Sequence, residues 1–366
     1  MNEQAHGWIR LIIIPLINLV LAFFVSGLVV LMIGENPFRA LQILLTGALG
    51  SSYGIGYTLY YATSFTFTGL AVAIAFHASL FNIGGEGQAG VAGIGVAVVC
   101  LSVVGNTHWV LVFPLAVCGA GLAGAAWAAI PAYLQATRGS HVVITTIMFN
   151  FIASALLVYL LVNVLKVEGS MSPESRKFGE TARLPFMHDI MGGIGIPLAR
   201  TPLNLSFLLA LVCTVLTWVL IWRTRLGYEI RAFGQSESAA VYAGISPVRI
   251  TMAAMLLSGG MAGMMALNTV MGEANRLVLD AVQGAGFVGI AVALIGRSHP
   301  VGVLLAAILF GMLYQGGAEL AFEMPAISRE MIVVIQALVI LFTGALENLV
   351  RFPVEGLLRR FERRVR

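Results

Sequence analysis

The sequence predicts an all-α fold, a bundle of about ten helices that crosses a membrane. Three observations carry this expectation. The chain of 366 residues is 59% hydrophobic and 10% charged, with a mean hydropathy of +0.92, whereas soluble domains carry about 25% charged residues. Apolar runs of about 20 residues, the length that spans a bilayer core, recur from one end to the other. The 41 glycines suit helices that approach closely in lipid.

The elements follow in order. Arg10 precedes an apolar run from Leu11 to Ile33, longer than a signal-peptide core and without an A-x-A cleavage pattern, so residues 10–33 read as a first span and signal anchor. Residues 34–56 contain FRALQILLTGALG, the pattern of an amphipathic helix lying along the interface on the outer side. Spans are then expected at 57–77, 87–105, 109–134 and 142–165. Residues 166–203 form a polar outer loop with Pro173, Pro185, Pro197 and Pro202, either ordered by a partner or solvated. A span at 204–222 leads into the polar island 223–249. The remaining spans are expected at 250–270, 284–297, 300–318 and 329–348, before a basic tail at 349–366. The whole reads as one transmembrane domain.

Ten spans put both termini on one side, and the distribution of Arg and Lys selects the cytoplasmic one. With cytoplasmic termini, thirteen of the 21 basic residues face inward, including the terminal LLRRFERRVR. The formal charge of +4 comes from charges scattered near span ends. With no basic patch interleaved with aromatics, nucleic acid is not an expected partner. Cys100, Cys118 and Cys213 lie in apolar stretches without C-x-x-C spacing, which reads as packing, neither disulfide nor metal ligation.

Hydrolase and dinucleotide motifs are missing, and so is G-x-x-x-x-G-K-[ST]. Any energy from ATP must therefore enter through another polypeptide; no cofactor is expected on this chain, and ATP and Mg belong on the partner. The middles of the spans are almost free of Asp, Glu and His, which counts against a proton relay. A sodium site made of carbonyls and hydroxyls stays open. So does a non-transporting membrane scaffold.

Two groups of residues stand out. The segment HASLFNIGGEGQ, His77 to Gln88, brings Asn82, Glu86 and Gln88 together with three glycines at a membrane boundary. Non-helical backbone at that depth must be buried in protein or line a cavity. Asn82, Glu86 and Gln88 read as polar gates of a translocation path. Alternatively, Asn82 or Glu86 caps the next span. Thr145, Thr146 and Asn150 share one face of the following helix and serve either a polar substrate or helix contact. Ser258-Gly259-Gly260 in the Met-rich stretch 252–271 reads as close packing or pore lining.

The island 223–249 mixes Arg223, Arg225, Glu229, Arg231, Glu237 and Arg249 with small residues such as Gly234, Ala240 and Gly244. A helix of that composition can dock in a groove of a soluble partner; a solvated connection is the other reading.

FNIGGEGQ, GSHVVITTIMFNFIA, LGYEIRAFGQSESAAVYAGIS and IAVALIGRSHPVGVLLAAILFG occur in this order. Together they resemble membrane permeases of bacterial ABC importers, in the branched-chain amino acid/simple-sugar permease family. The likeness is greatest to the longer permease subunit of nucleoside and simple-sugar importers, and it extends over about residues 9–350. It implies half of a pore in the bacterial plasma membrane that works by alternating access. The implied partners are ABC ATPase subunits, a second and non-identical permease chain, an extracytoplasmic substrate-binding protein and membrane lipid. It also implies that the island, with Glu229, Arg231, Gly234, Ala240 and Gly244, couples to the ATPase. The chain departs from the family pattern at His77, where Lys or Arg is common, and at Ser79, where Gly is.

Overall fold

The computed structural model describes residues 14–103, 107–167 and 169–342, so Arg10, the end of the tenth expected span and the basic tail lie outside the described residues. The regular structure among the described residues is helical. The helices are α1 Ile14–Met32, α2 Pro37–Leu49, α3 Ser52–His77, α4 Gly85–Ser102, α5 Trp109–Arg138 and α6 Val142–Asn163. They continue with α7 Met187–Gly192, α8 Ser206–Arg223, α9 Arg225–Gln235, α10 Glu237–Tyr242 and α11 Pro247–Gly263. A π-helical stretch, Leu267–Ala274, precedes α12 Ala285–Ile295, α13 Pro300–Glu323 and α14 Arg329–Ile340.

The chain forms two compact units, Met1–Gly54 with Met312–Arg366, and Ile55–Gly311. In the first, α1 and α2 meet at a sharp turn: Gly34 has φ +90, and the two axes differ by 119°. Asn36 starts α2 by accepting the amide hydrogens of Phe38 and Arg39 at 2.9 and 3.3 Å, and Pro37 fills the first position, where no amide is needed. The stretch read as amphipathic is helical and buries Ala40, Ile43, Leu44 and Ala48 on one side.

Seven described helical stretches are long and apolar enough to cross a membrane, or eight if the bent α1–α2 pair is one span. The apolar run expected to span at 284–297 yields only the 11-residue α12, because Gly284 at φ +79 and Arg297 and Ser298 at φ +51 and +54 terminate it at both ends. At about 1.5 Å per residue such a helix covers about half a bilayer core.

The second unit is held by helices with small residues at the seams. A Cβ on Gly259 of α11 would stand 2.6 Å from the Gly124 carbonyl oxygen of α5, so the two backbones touch there, the usual route to tight packing in lipid. The loop 166–203 is ordered by the chain itself. Phe178, Ala182 and Leu184 are buried in the same cluster as Val96, Leu161, Met271 and Leu277. These anchors offset the entropy of fixing a polar segment. Cys100 and Cys213 are buried, whereas Cys118 is exposed on the outward face of α5; all three are free.

Candidate functional site

The segment 78–84 connects α3 to α4 and enters the bundle. Asn82 is 2% exposed. Its Nδ2 donates to Gln88 Oε1 at 3.0 Å and to Ser258 Oγ at 2.8 Å, while its Oδ1 accepts from the Gly84 amide at 2.9 Å and from Gln88 Nε2 at 3.2 Å. Ser258 in turn donates to the Ala71 carbonyl, inside α3, at 2.7 Å. Helix α4 therefore begins within the bundle, level with the interior of its neighbours. Asn150 of α6 completes the turn: its Oδ1 accepts from the Gly87 amide and its Nδ2 donates to the Ile83 carbonyl, both at 2.9 Å. Each free amide or carbonyl so paired avoids the cost of burying it alone.

Helix α12 also begins inside the unit, against α4. Glu86 sits in the first turn of α4, and its two carboxylate oxygens accept from the amides of Gly284 (2.8 Å) and Gly286 (2.9 Å) at the start of α12. Glu86 thus caps a helix far along the chain. Of the two residues expected as possible caps of α4, Asn82 accepts the Gly84 amide, helped by Asn150 on the Gly87 amide, whereas the bonds of Glu86 go to α12. A carboxylate is tolerated at this depth because it faces the positive ends of two helices and accepts charge-assisted bonds.

Beside this junction lies a cavity of about 190 Å³, lined by Glu86, Asn150, Ser154, Thr269 and Asp280 among apolar neighbours from α4, α6 and the segment 277–282. The wall formed by 275–284 holds Asn275, Asp280, Gln283 and Gly284 at positive φ, an uncommon conformation for side chains other than Gly. The loop 166–203 grips this wall. The Ser175 amide donates to the Leu277 carbonyl (3.0 Å), the Leu277 amide to Ser175 Oγ (2.9 Å) and the Phe178 amide to the Asn275 carbonyl (2.8 Å). Arg276 pairs with Glu174.

Of the residues expected along the path, Glu86 and Asn150 line the cavity. Asn82 and Gln88 lie behind it and bond each other. Thr146 is fully buried and donates to the Val142 and Val143 carbonyls, and Thr145 donates to the His141 carbonyl. Both hydroxyls are thus satisfied by their own helix. Sequence reasoning passed over Asp280 and Thr269, which face the cavity only because 275–284 folds back over it. It also passed over a second buried network, in which Asn204 donates to Asn268 Oδ1 at 3.0 Å and Asn268 donates to the Tyr60 carbonyl at 3.0 Å and Ser64 Oγ at 2.8 Å. The isolated Asn residues in apolar runs were the available signal for it.

The island 223–249 folds into α9, α10 and the start of α11. Thr224 caps α9 by accepting the Gly227 amide, and Ser236 caps α10 by accepting the Ala239 amide. Of the residues expected to couple, Glu229 has a side chain only 10% exposed and pairs with the exposed Arg225 at 3.0 Å. Arg231 donates from Nε to the Ile221 carbonyl at 3.1 Å. Gly234 lies so close to the His77 carbonyl that a Cβ would overlap it, and its own carbonyl accepts from Ser79 Oγ at 2.6 Å. Ala240 is buried with Ile230, Phe233 and Ile250, and Gly244 turns the chain at φ +82. Gly244 is exposed, and the outward surface there is shared with Tyr242, 97% exposed, and exposed Val241. His77 is held at this end, its Nε2 3.0 Å from the Ser298 carbonyl and its ring edge-on to Trp222.

Stacked apolar spans, and two helix starts inside the bundle beside a cavity with a few polar residues, define a multi-pass membrane protein. The chain belongs to the branched-chain amino acid transport system/permease component family, whose model matches residues 54–344. It is 35% identical to the guanosine ABC transporter permease protein NupP of Bacillus subtilis, over 91% of this chain and 93% of the relative. It is 34% identical to the glucose ABC transporter permease protein TsgB13 of Haloferax volcanii, over 93% of this chain and 89% of that one. The nucleoside ABC transporter permease protein NupB of Lactococcus lactis is 31% identical, over 95% and 93%. No solved structure matches the chain.

Proposed function

We propose that this chain is the permease subunit of an ATP-driven importer and forms half of the translocation path for a nucleoside or a simple sugar. The observation that carries the reading is the cavity beside the α4–α12 junction, lined from α4, α6 and the segments 265–270 and 277–282, where Asn150, Ser154 and Thr269 offer uncharged polar atoms beside apolar walls. Such a lining suits a hydroxylated solute, and it lies in a chain whose relatives are named as nucleoside and glucose permeases. Asn82, Gln88, Thr145 and Thr146 then hold the path in shape from behind.

The energy comes from ABC ATPase subunits that bind ATP and Mg, docked on the surface made by α9 and α10. Alternating access follows because ATP has different affinities for the two states of that assembly. A second, non-identical permease and lipid cover the exposed apolar faces of α5 and α6, such as Leu122 and Phe151. An extracytoplasmic binding protein delivers the solute, and the complex sits in a bacterial plasma membrane with both termini inside.

The test is to purify the chain with its ATPase and permease partners, reconstitute them in vesicles and measure uptake of guanosine, ribose and glucose with and without ATP. ATP-dependent accumulation of one of them is expected. Accumulation by this chain alone, driven by an ion gradient, overturns the proposal.

A further inference from the structure

Two helices start at Glu86. Helix α4 begins at Gly85 and α12 at Ala285, and a Cβ on Gly286 would overlap the Glu86 amide nitrogen. No side chain separates the two starts. Each helix start carries a partial charge of about +0.5, and a helix start is by itself attractive to phosphate or carboxylate. In an unoccupied cavity this junction would draw in an anionic solute. The chain supplies the anion itself: both oxygens of Glu86 are spent on the Gly284 and Gly286 amides. Asp280 places a second carboxylate on the same wall, and no Lys, Arg or His lines the cavity.

We propose that Glu86 is the specificity-determining residue that keeps anionic solutes out of the path. The donors that would recognise a phosphate or carboxylate group are already satisfied, and the residual field at the cavity wall is negative. Uncharged hydroxylated solutes are admitted and their phosphate monoesters refused. This rests on the transport reading above, and it adds the residue that sets the charge preference.

The experiment uses the purified full-length chain and reads the shift of its melting midpoint. In Glu86→Ala the Gly284 and Gly286 amides lose their acceptor and a space the size of a carboxylate opens. Formate at millimolar concentration is expected to raise the midpoint of this variant and to leave the parent chain unchanged. Guanosine and ribose are then compared with guanosine monophosphate and ribose phosphate on the parent chain, Glu86→Ala and Glu86→Gln. Glu86→Ala is expected to bind the monoesters at least about tenfold more tightly than the parent does, the size of effect that freeing a charge-assisted site produces, and Glu86→Gln, which loses the charge but still fills the site, more tightly than the parent by a smaller factor.

Parent and variants refusing the monoesters equally overturns the proposal, as does formate stabilising both forms alike. If Glu86→Ala does not fold, Glu86→Gln, which fills the same space without the charge and keeps one acceptor for the two amides, decides the question through the monoesters. These readings need no transport. A parent assembly that takes up no solute, in a chain that passes the formate and monoester tests, refutes the function and leaves the charge assignment standing.

Discussion

Replacing Asn82 by Ala removes four hydrogen bonds at once from a side chain 2% exposed. Side-chain bonds inside membrane proteins average about 0.6 kcal/mol, which puts the four together at about 2.4 kcal/mol. The Gly84 amide and both ends of the Gln88 amide are then left without partners and without water, and each orphaned group costs about 1–3 kcal/mol. The expected loss is therefore at least about 3 kcal/mol. Asn82→Asp has nearly the same shape and is expected to cost at least as much. It still accepts from Gly84 and Gln88 Nε2, but it turns an oxygen toward Ser258 Oγ and Gln88 Oε1, atoms now 2.8 and 3.0 Å from the donor Nδ2. Ser258 can relieve one clash only by giving up its bond to the Ala71 carbonyl. The assay is reversible unfolding in mixed micelles, following near-ultraviolet circular dichroism, with insertion checked by membrane fractionation. A loss below about 1 kcal/mol for Asn82→Ala, or an Asp variant clearly more stable than the Ala variant, refutes the argument that this amide fastens α4 to the interior of the bundle.

Two further outcomes are expected. Gly259→Ala forces a methyl toward the Gly124 carbonyl at 2.6 Å, and the α5–α11 seam must open at a cost of about 1–3 kcal/mol, measured by the same unfolding titration. Tyr242→Ala, at a side chain 97% exposed, is expected to change stability by no more than about 0.5 kcal/mol. In the reconstituted assembly it is nevertheless expected to abolish most substrate-stimulated ATPase activity. Full stimulation by the Tyr242 variant would place the docking surface elsewhere.

Charge by itself does not say which residues of the island 223–249 face outward. Glu229 and Arg231 are the conspicuous charges of the island, yet both are engaged by the chain itself, one with Arg225 and the other with the Ile221 carbonyl. Charges near a membrane surface are conspicuous in an apolar sequence whether they face a partner or a neighbouring helix. Tyr242 carries no such signal, and only the turn at Gly244 and the burial of Ala240 push it outward.

What depends on neighbours along the chain is legible in the residues alone. Apolar runs specified helices in lipid, and Asn36-Pro37 and Ser246-Pro247 specified where two of them begin. Tertiary structure decided what depends on residues brought together from afar. Glu86 finds its amides 198 and 200 residues downstream, so nothing local distinguishes a cap of its own helix from a clamp on another. The loop 166–203 is ordered because Phe178 and Leu184 reach a core built by other segments. The apolar run at 284–297 stops short of a span because the left-handed residues at its ends fold it back. Hydrophobicity along a chain reports affinity for lipid or core alike, and only the packed structure separates the two.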